Sequence, residues 1–102
     1  MMYGSHHDIF NVSNPSGEEK IYTVVGYICE TDTFANNKRI STISEGDVLC
    51  FKNAGAYCFT MASNYNSRYK PSEILFLNNK SIEIRKRETI EDILKNQIEI
   101  DF

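Results

Sequence analysis

The chain has 102 residues, 41% of them hydrophobic and 25% charged, and a formal net charge of −3. This length suits one domain spanning residues 1–102, and the composition excludes a largely disordered chain. The basic residues are dispersed apart from Arg85-Lys86-Arg87, which excludes the broad footprint of a nucleic-acid binder, and no apolar run is long enough for a signal peptide or a membrane span.

The three cysteines, Cys29, Cys50 and Cys58, are odd in number and none pairs in a Cys-x-x-Cys spacing, so a reducing cytoplasm is the expected setting.

Residues Tyr3 to Val12 read as a short extended segment, closed by the polar turn Asn14-Pro15-Ser16-Gly17. Lys20 to Ile28 is rich in β-branched and aromatic residues on both alternating faces, the pattern of a central strand covered on both sides. It ends at Cys29-Glu30, and Thr31 to Lys38 reads as a polar loop. Ser44-Glu45-Gly46-Asp47 is a turn into a second strand, Val48 to Lys52. Gly55-Ala56-Tyr57 interrupts the apolar pattern, and Ser63 to Arg68 is polar and turn-prone.

Ile74 to Leu77, Asn78-Asn79 and Ser81 to Arg87 read as a β-hairpin, because asparagine tolerates positive φ. In its second arm Ile82 and Ile84 alternate with Ser81, Glu83 and Arg85, which predicts one buried and one wet face. Lys86 falls between two arginines on the same strand, so it should point away from both at a solvated strand end. Thr89 opens a helix expected to run to about Asn96. It can cap the free amides, with Asp92 at the third helical position as a weaker partner than glutamate. The predicted fold is all-β, a mostly antiparallel sandwich or barrel of Greek-key type with one short C-terminal helix.

Few residues carry chemistry on their own. Cys29-Glu30 sits where a buried strand meets a loop, a common place for functional groups. A thiol beside a carboxylate is a candidate proton donor, since thiols are mostly protonated at neutral pH. Residue types alone favour Cys29 as a small core side chain and Glu30 as a solvated one. Gly55-Ala56-Tyr57 allows close approach of backbone to a ligand plus a hydroxyl, or else a β-bulge that places a core aromatic. His6 and His7 are adjacent and so face opposite sides of an extended segment, and no metal site is expected. There is no phosphate-cradling glycine loop, no nucleophile elbow and no lysine in a cofactor motif.

Five blocks in register carry a family likeness. They are Met2-Tyr3-Gly4-Ser5 with His7, Val24-Val25-Gly26-Tyr27-Ile28-Cys29-Glu30-Thr31, and Glu45-Gly46-Asp47-Val48-Leu49. Asn53-Ala54-Gly55-Ala56-Tyr57 continues into Met61-Ala62-Ser63-Asn64-Tyr65-Asn66-Ser67-Arg68, and Arg85-Lys86-Arg87-Glu88-Thr89 leads to Glu91-Asp92-Ile93-Leu94. Together they resemble the C-terminal β domain of fold-type III pyridoxal-phosphate-dependent amino-acid decarboxylases, the diaminopimelate decarboxylase family above all. Thr31 stands where serine is commoner, and Cys58 replaces a glycine often found there.

The resemblance implies an N-terminal β/α barrel that holds pyridoxal 5'-phosphate through a Schiff-base lysine, with no such lysine in this chain. It implies a homodimer whose partner completes each active site, an amino-acid substrate, and conversion of meso-diaminopimelate to lysine and carbon dioxide. By resemblance Cys29 protonates the carbon that has lost carbon dioxide, and Glu30 binds the distal amino group. Tyr57 approaches cofactor and substrate, and Tyr3 holds a substrate carboxylate. The neighbouring possibilities are the same domain of an ornithine, arginine, carboxynorspermidine or carrier-bound glutamyl decarboxylase. A self-contained β-barrel binding module would leave the five blocks unexplained.

Overall fold

The computed structural model describes residues 6–29 and 33–101, with the side chain of Tyr57 left aside. Its strands are β1 (Ile9–Asn11), β2 (Glu19–Val25), β3 (Thr33–Ser41), β4 (Leu49–Phe51), β5 (Glu73–Leu77) and β6 (Lys80–Arg85). Two short helices, α1 (Gly55–Cys58) and α2 (Ile90–Leu94), complete the set with a 3-10 turn at Tyr65–Ser67. All ladders are antiparallel and two-stranded: β1 with β4, β2 with β3, and β5 with β6. The expected antiparallel β architecture with a short terminal helix is therefore present.

The chain divides into two compact units, 1–58 and 59–102. The first has a small core of Ile9, Ala35 and Ile40, with Tyr22, Val24, Ile43, Leu49 and Phe51 packed against it. Phe34 and Phe51 meet edge to face at 5.2 Å between ring centroids, a preferred aromatic geometry. At the centre of the unit's polar wiring lies Asn11, only 2% exposed. Its amide nitrogen donates to the Thr42 carbonyl at 3.0 Å and to Asp47 Oδ2 at 2.8 Å, and its Oδ1 accepts the Ser13 amide at 3.0 Å. Asp47 Oδ2 also accepts the Ser44 amide at 2.9 Å, closing the turn in which Gly46 takes φ +90°. That amide, and then Asn11, hold the Asp47 carboxyl below its ordinary value.

Four sequence expectations change here. Residues 31–38, read as a polar loop, lie largely in β3, whose nine residues pair with β2. The cause is a bulge: the register slips between Tyr22 and Val24, and Asn37 takes φ 51°. Inward positions therefore fall at Ala35, Lys38 and Ile40 rather than at every second residue, so no period-2 signal survives. The strand expected over Lys20 to Ile28 ends at Val25 and has a single neighbour, leaving Ile21 63% and Val25 58% exposed. Gly55-Ala56-Tyr57 forms a helical turn, not a bulge. The face of β6 expected to be buried is bare, with Ile82 44% and Ile84 61% exposed.

In the second unit, Asn78 and Asn79 take φ 52° and 60°, the double left-handed geometry of a tight hairpin turn. Asp92 accepts the Thr89 amide at 2.8 Å and caps α2. Glu88 Oε1 accepts the Lys70 amide at 2.6 Å and the Asn64 side-chain amide at 2.8 Å. These bonds, the Lys70 amide first, hold its carboxyl below the ordinary value. None of this unit's described residues is fully buried.

Exposed apolar groups of this extent have a cost. The chain shows 8717 Å² of accessible surface. A monomer of this mass would show about 5,900 Å², and about 7,000 Å² even if the two units were separate folded bodies. Beyond Tyr65, the bare groups include Ile21, Val25, Ile74, Phe76 and Ile84; Phe59 is half-buried, and Tyr3 and the Tyr57 side chain lie outside the described residues. Patches of this kind drive association. Sedimentation of the 102-residue chain is expected to show dimers or larger species as concentration rises, and a strict monomer at millimolar concentration would contradict it.

Candidate functional site

The last β2–β3 pair is Val25 with Thr33, so Gly26 to Cys29 lie beyond the end of the ladder, on the connection between the two strands of a hairpin. Sequence reasoning places Cys29 at a strand end before a loop. The pairing of β3 turns that place into an outward-reaching tip between two hydrogen-bonded strands. Cys29 is a free, exposed cysteine. Among the described residues its thiol has no hydrogen-bond partner and is not the small core group that residue type alone allowed. Glu30 and Tyr3 lie outside the described residues. Tyr57 sits in α1, and a Cβ built on the neighbouring Gly55 would meet nothing within 4 Å.

The structure thus brings no complete set of reacting groups together in the first unit. The histidines go separate ways: the His7 ring shares a 3.1 Å hydrogen bond between Nδ1 and the Lys52 carbonyl, and His6 Nε2 lies 3.4 Å from Lys38 Nζ. Among the described residues no three His, Cys, Asp or Glu side chains gather as metal ligands. Sequence reasoning missed Asn11, whose value is invisible in a polar Asn-Val-Ser-Asn run until Asp47 and Thr42 close around it. The signal available was the Glu-Gly-Asp turn, since it needs a partner for its carboxylate.

Comparison with known proteins places this ribbon in a family. The family described as pyridoxal-dependent decarboxylase, C-terminal sheet domain, matches residues 1–55, and the chain belongs to that family. Relatives that match nearly the whole of this chain are diaminopimelate decarboxylases. A diaminopimelate decarboxylase of Methanothermobacter thermautotrophicus is 46% identical over 99 residues, covering 94% of this chain and 23% of its own length. The crystal structure of diaminopimelate decarboxylase from M. jannaschii superposes with a TM-score of 0.87 at 33% identity, over 97% of this chain and 23% of that one. The Helicobacter pylori diaminopimelate decarboxylase complexed with L-lysine gives a TM-score of 0.79 at 37% identity, over 91% of this chain and 23% of its own. The chain spans about a quarter of the length of these relatives.

Proposed function

We propose that this chain is the C-terminal substrate-site and dimerisation domain of a diaminopimelate decarboxylase. That enzyme converts meso-2,6-diaminopimelate to L-lysine and carbon dioxide in the cytoplasm. The observation that carries the reading is the 46% identity extending over 94% of the chain, well beyond the residues that define the family. A barrel domain from outside this sequence supplies the cofactor lysine, and the 102-residue chain alone is inactive.

The donor set fits that division. Pyridoxal phosphate needs a lysine for its aldehyde and a cradle for its phosphate, and the first unit's described residues offer an exposed thiol in a hairpin tip instead. Only Tyr57, by family likeness, would touch the cofactor. When bound, the cofactor supplies an electron sink for the pair left as the C–CO2 bond breaks. The chain's own residues do the rest. Cys29, carried on the β2–β3 tip into the partner subunit's site, donates its thiol proton to the carbon that lost carbon dioxide. Glu30 pairs with the distal ammonium, and this charge-assisted bond selects which end of the near-symmetric substrate reacts. Tyr3 holds a substrate carboxylate.

The test is a graft. Residues 1–102 replace the matching C-terminal segment of the M. thermautotrophicus enzyme, and release of carbon dioxide is measured with pyridoxal phosphate present. Turnover of meso-diaminopimelate, with ornithine and arginine ignored, is the expected result. Preference for ornithine or arginine would move the chain to a sibling decarboxylase, and a folded graft inert toward all three would favour a non-catalytic module.

A further inference from the structure

The Arg85-Lys86-Arg87 run does not behave as its alternation implies. β6 ends at Arg85, and the chain leaves the ladder there, so strand geometry no longer sends Lys86 away from its neighbours. All three residues instead line one open groove of about 780 Å³ in the second unit, together with Lys70 and Lys95. Glu88 and Asp92 are the groove's two acidic residues, so five basic side chains against two leave a surplus of three positive charges. In a chain of net charge −3, the remaining residues then carry −6. Five of the chain's eleven lysines and arginines thus line one concavity.

The two carboxylates are already engaged. Glu88 accepts the Lys70 and Asn64 amides, and Asp92 accepts the Thr89 amide. Arg85 pairs with Glu73 at 2.5 Å and sets its guanidinium carbon over the Phe59 ring, 4.1 Å from the centroid, which holds it at the groove. Lys70 approaches the same ring at 5.9 Å. Among the described residues, Lys70, Lys86, Arg87 and Lys95 have no carboxylate within ion-pair distance. Gathering like charges in a concave wall costs energy unless an anion joins them, and such a wall focuses the field on that anion.

We propose that this groove binds a compact, multiply charged oxyanion, of the phosphate-ester or polycarboxylate class. Arg87 offers a bidentate fork, Lys86 and Lys95 offer point charges, and the Arg85–Phe59 stack forms a fixed cationic floor. The binding is independent of the decarboxylase reading, because none of these residues has a part in that chemistry.

Amide NMR titration of the 102-residue chain tests it, with pyrophosphate in one arm, citrate in a second and sodium chloride at matched ionic strength in a third. Saturable shifts confined to Lys70, Arg85 to Thr89 and Lys95 are expected with at least one oxyanion and not with chloride. Tighter binding of pyrophosphate assigns a phosphate-bearing ligand, and equal or tighter binding of citrate assigns a polycarboxylate. The surface variant K86Q/R87Q should weaken the affinity about tenfold or more through loss of two charge-assisted contacts, while Lys20→Gln in the first unit should leave it unchanged. Preserved peak dispersion shows that each variant is folded. Shifts no larger than those from chloride, or equal affinity in K86Q/R87Q, would overturn the proposal.

Discussion

In the full-length enzyme, replacing Cys29 with alanine is expected to lower kcat about a hundredfold or more while the cofactor stays bound, the scale for losing a positioned general acid. The thiol sits exposed on the β2–β3 tip, so its removal opens no cavity and leaves the ladder intact. Loss of activity without loss of thermal stability is therefore the signature. Replacing Glu30 with glutamine keeps the shape and removes the charge, so KM for diaminopimelate should rise as well. If both residues act in the partner's site, as proposed, mixing either variant with a barrel-lysine variant should restore part of the activity. One site of each mixed dimer then holds only intact groups. Stopped turnover assays on the separate and mixed proteins check this, and unchanged kcat and KM in both variants would overturn the roles proposed for Cys29 and Glu30.

The largest stability effect is expected at Asn11. Asn11→Ala deletes three hydrogen bonds, one of them to a carboxylate. The Thr42 carbonyl keeps the Asn14 side-chain amide at 3.0 Å and Asp47 keeps the Ser44 amide, so the cost is the loss of hydrogen bonds made by a side chain that is itself only 2% exposed. A fall of about 5–10 °C in Tm is the expected result. Asn11→Asp should be no better despite its shape, because it sets a second carboxylate against Asp47.

The same pin makes stability depend on acid. The Asp47 carboxyl is held below its ordinary value of 3.8 in the folded chain, so its contribution is complete above that pH and is lost as pH falls toward the lowered folded value. Glu88, below its ordinary 4.5 in the second unit, adds a loss of the same sign. Urea midpoints measured between neutral pH and pH 3 should fall for the wild type. They should fall less for Asp47→Asn, and a parallel fall in both would sink the assignment.

What could be read ahead of the structure follows a physical rule. The β5–β6 hairpin was legible because Asn78-Asn79 is one of the few pairs that tolerates two left-handed residues in succession. Helix α2 was legible from Thr89 and Asp92, whose partnership is local. The strand β3 was hidden because a bulge at Asn37 breaks its alternation and because its pairing with β2 is not local. The bare faces of β2 and β6 were misread for a related reason. Apolar residues on both sides of a strand announce that something covers it, and not whether the cover belongs to the same 102 residues. The roles proposed for Cys29 and Glu30 rest on family likeness alone, since a thiol next to a carboxylate has no distinctive pattern. Asn11 was legible by neither route, because its partners lie 31 and 36 residues away.

That separation also sets an order of events in folding. The β2–β3 hairpin joins residues at most 22 positions apart, Glu19 with Ser41, while β1 and β4 pair Ile9 with Phe51 around it. Closing the outer ladder first would spend loop entropy before any local contact repaid it, so the inner hairpin condenses first and the Asn11–Asp47 bond snaps shut late. A latch that forms after the transition state leaves the rate of folding nearly untouched and governs how long the folded chain survives. Asn11→Ala should therefore speed unfolding in stopped-flow measurements and scarcely slow refolding. The hairpin that presents Cys29 is in this sense the earliest part of the unit to be built, and the buried asparagine is what keeps it from being undone.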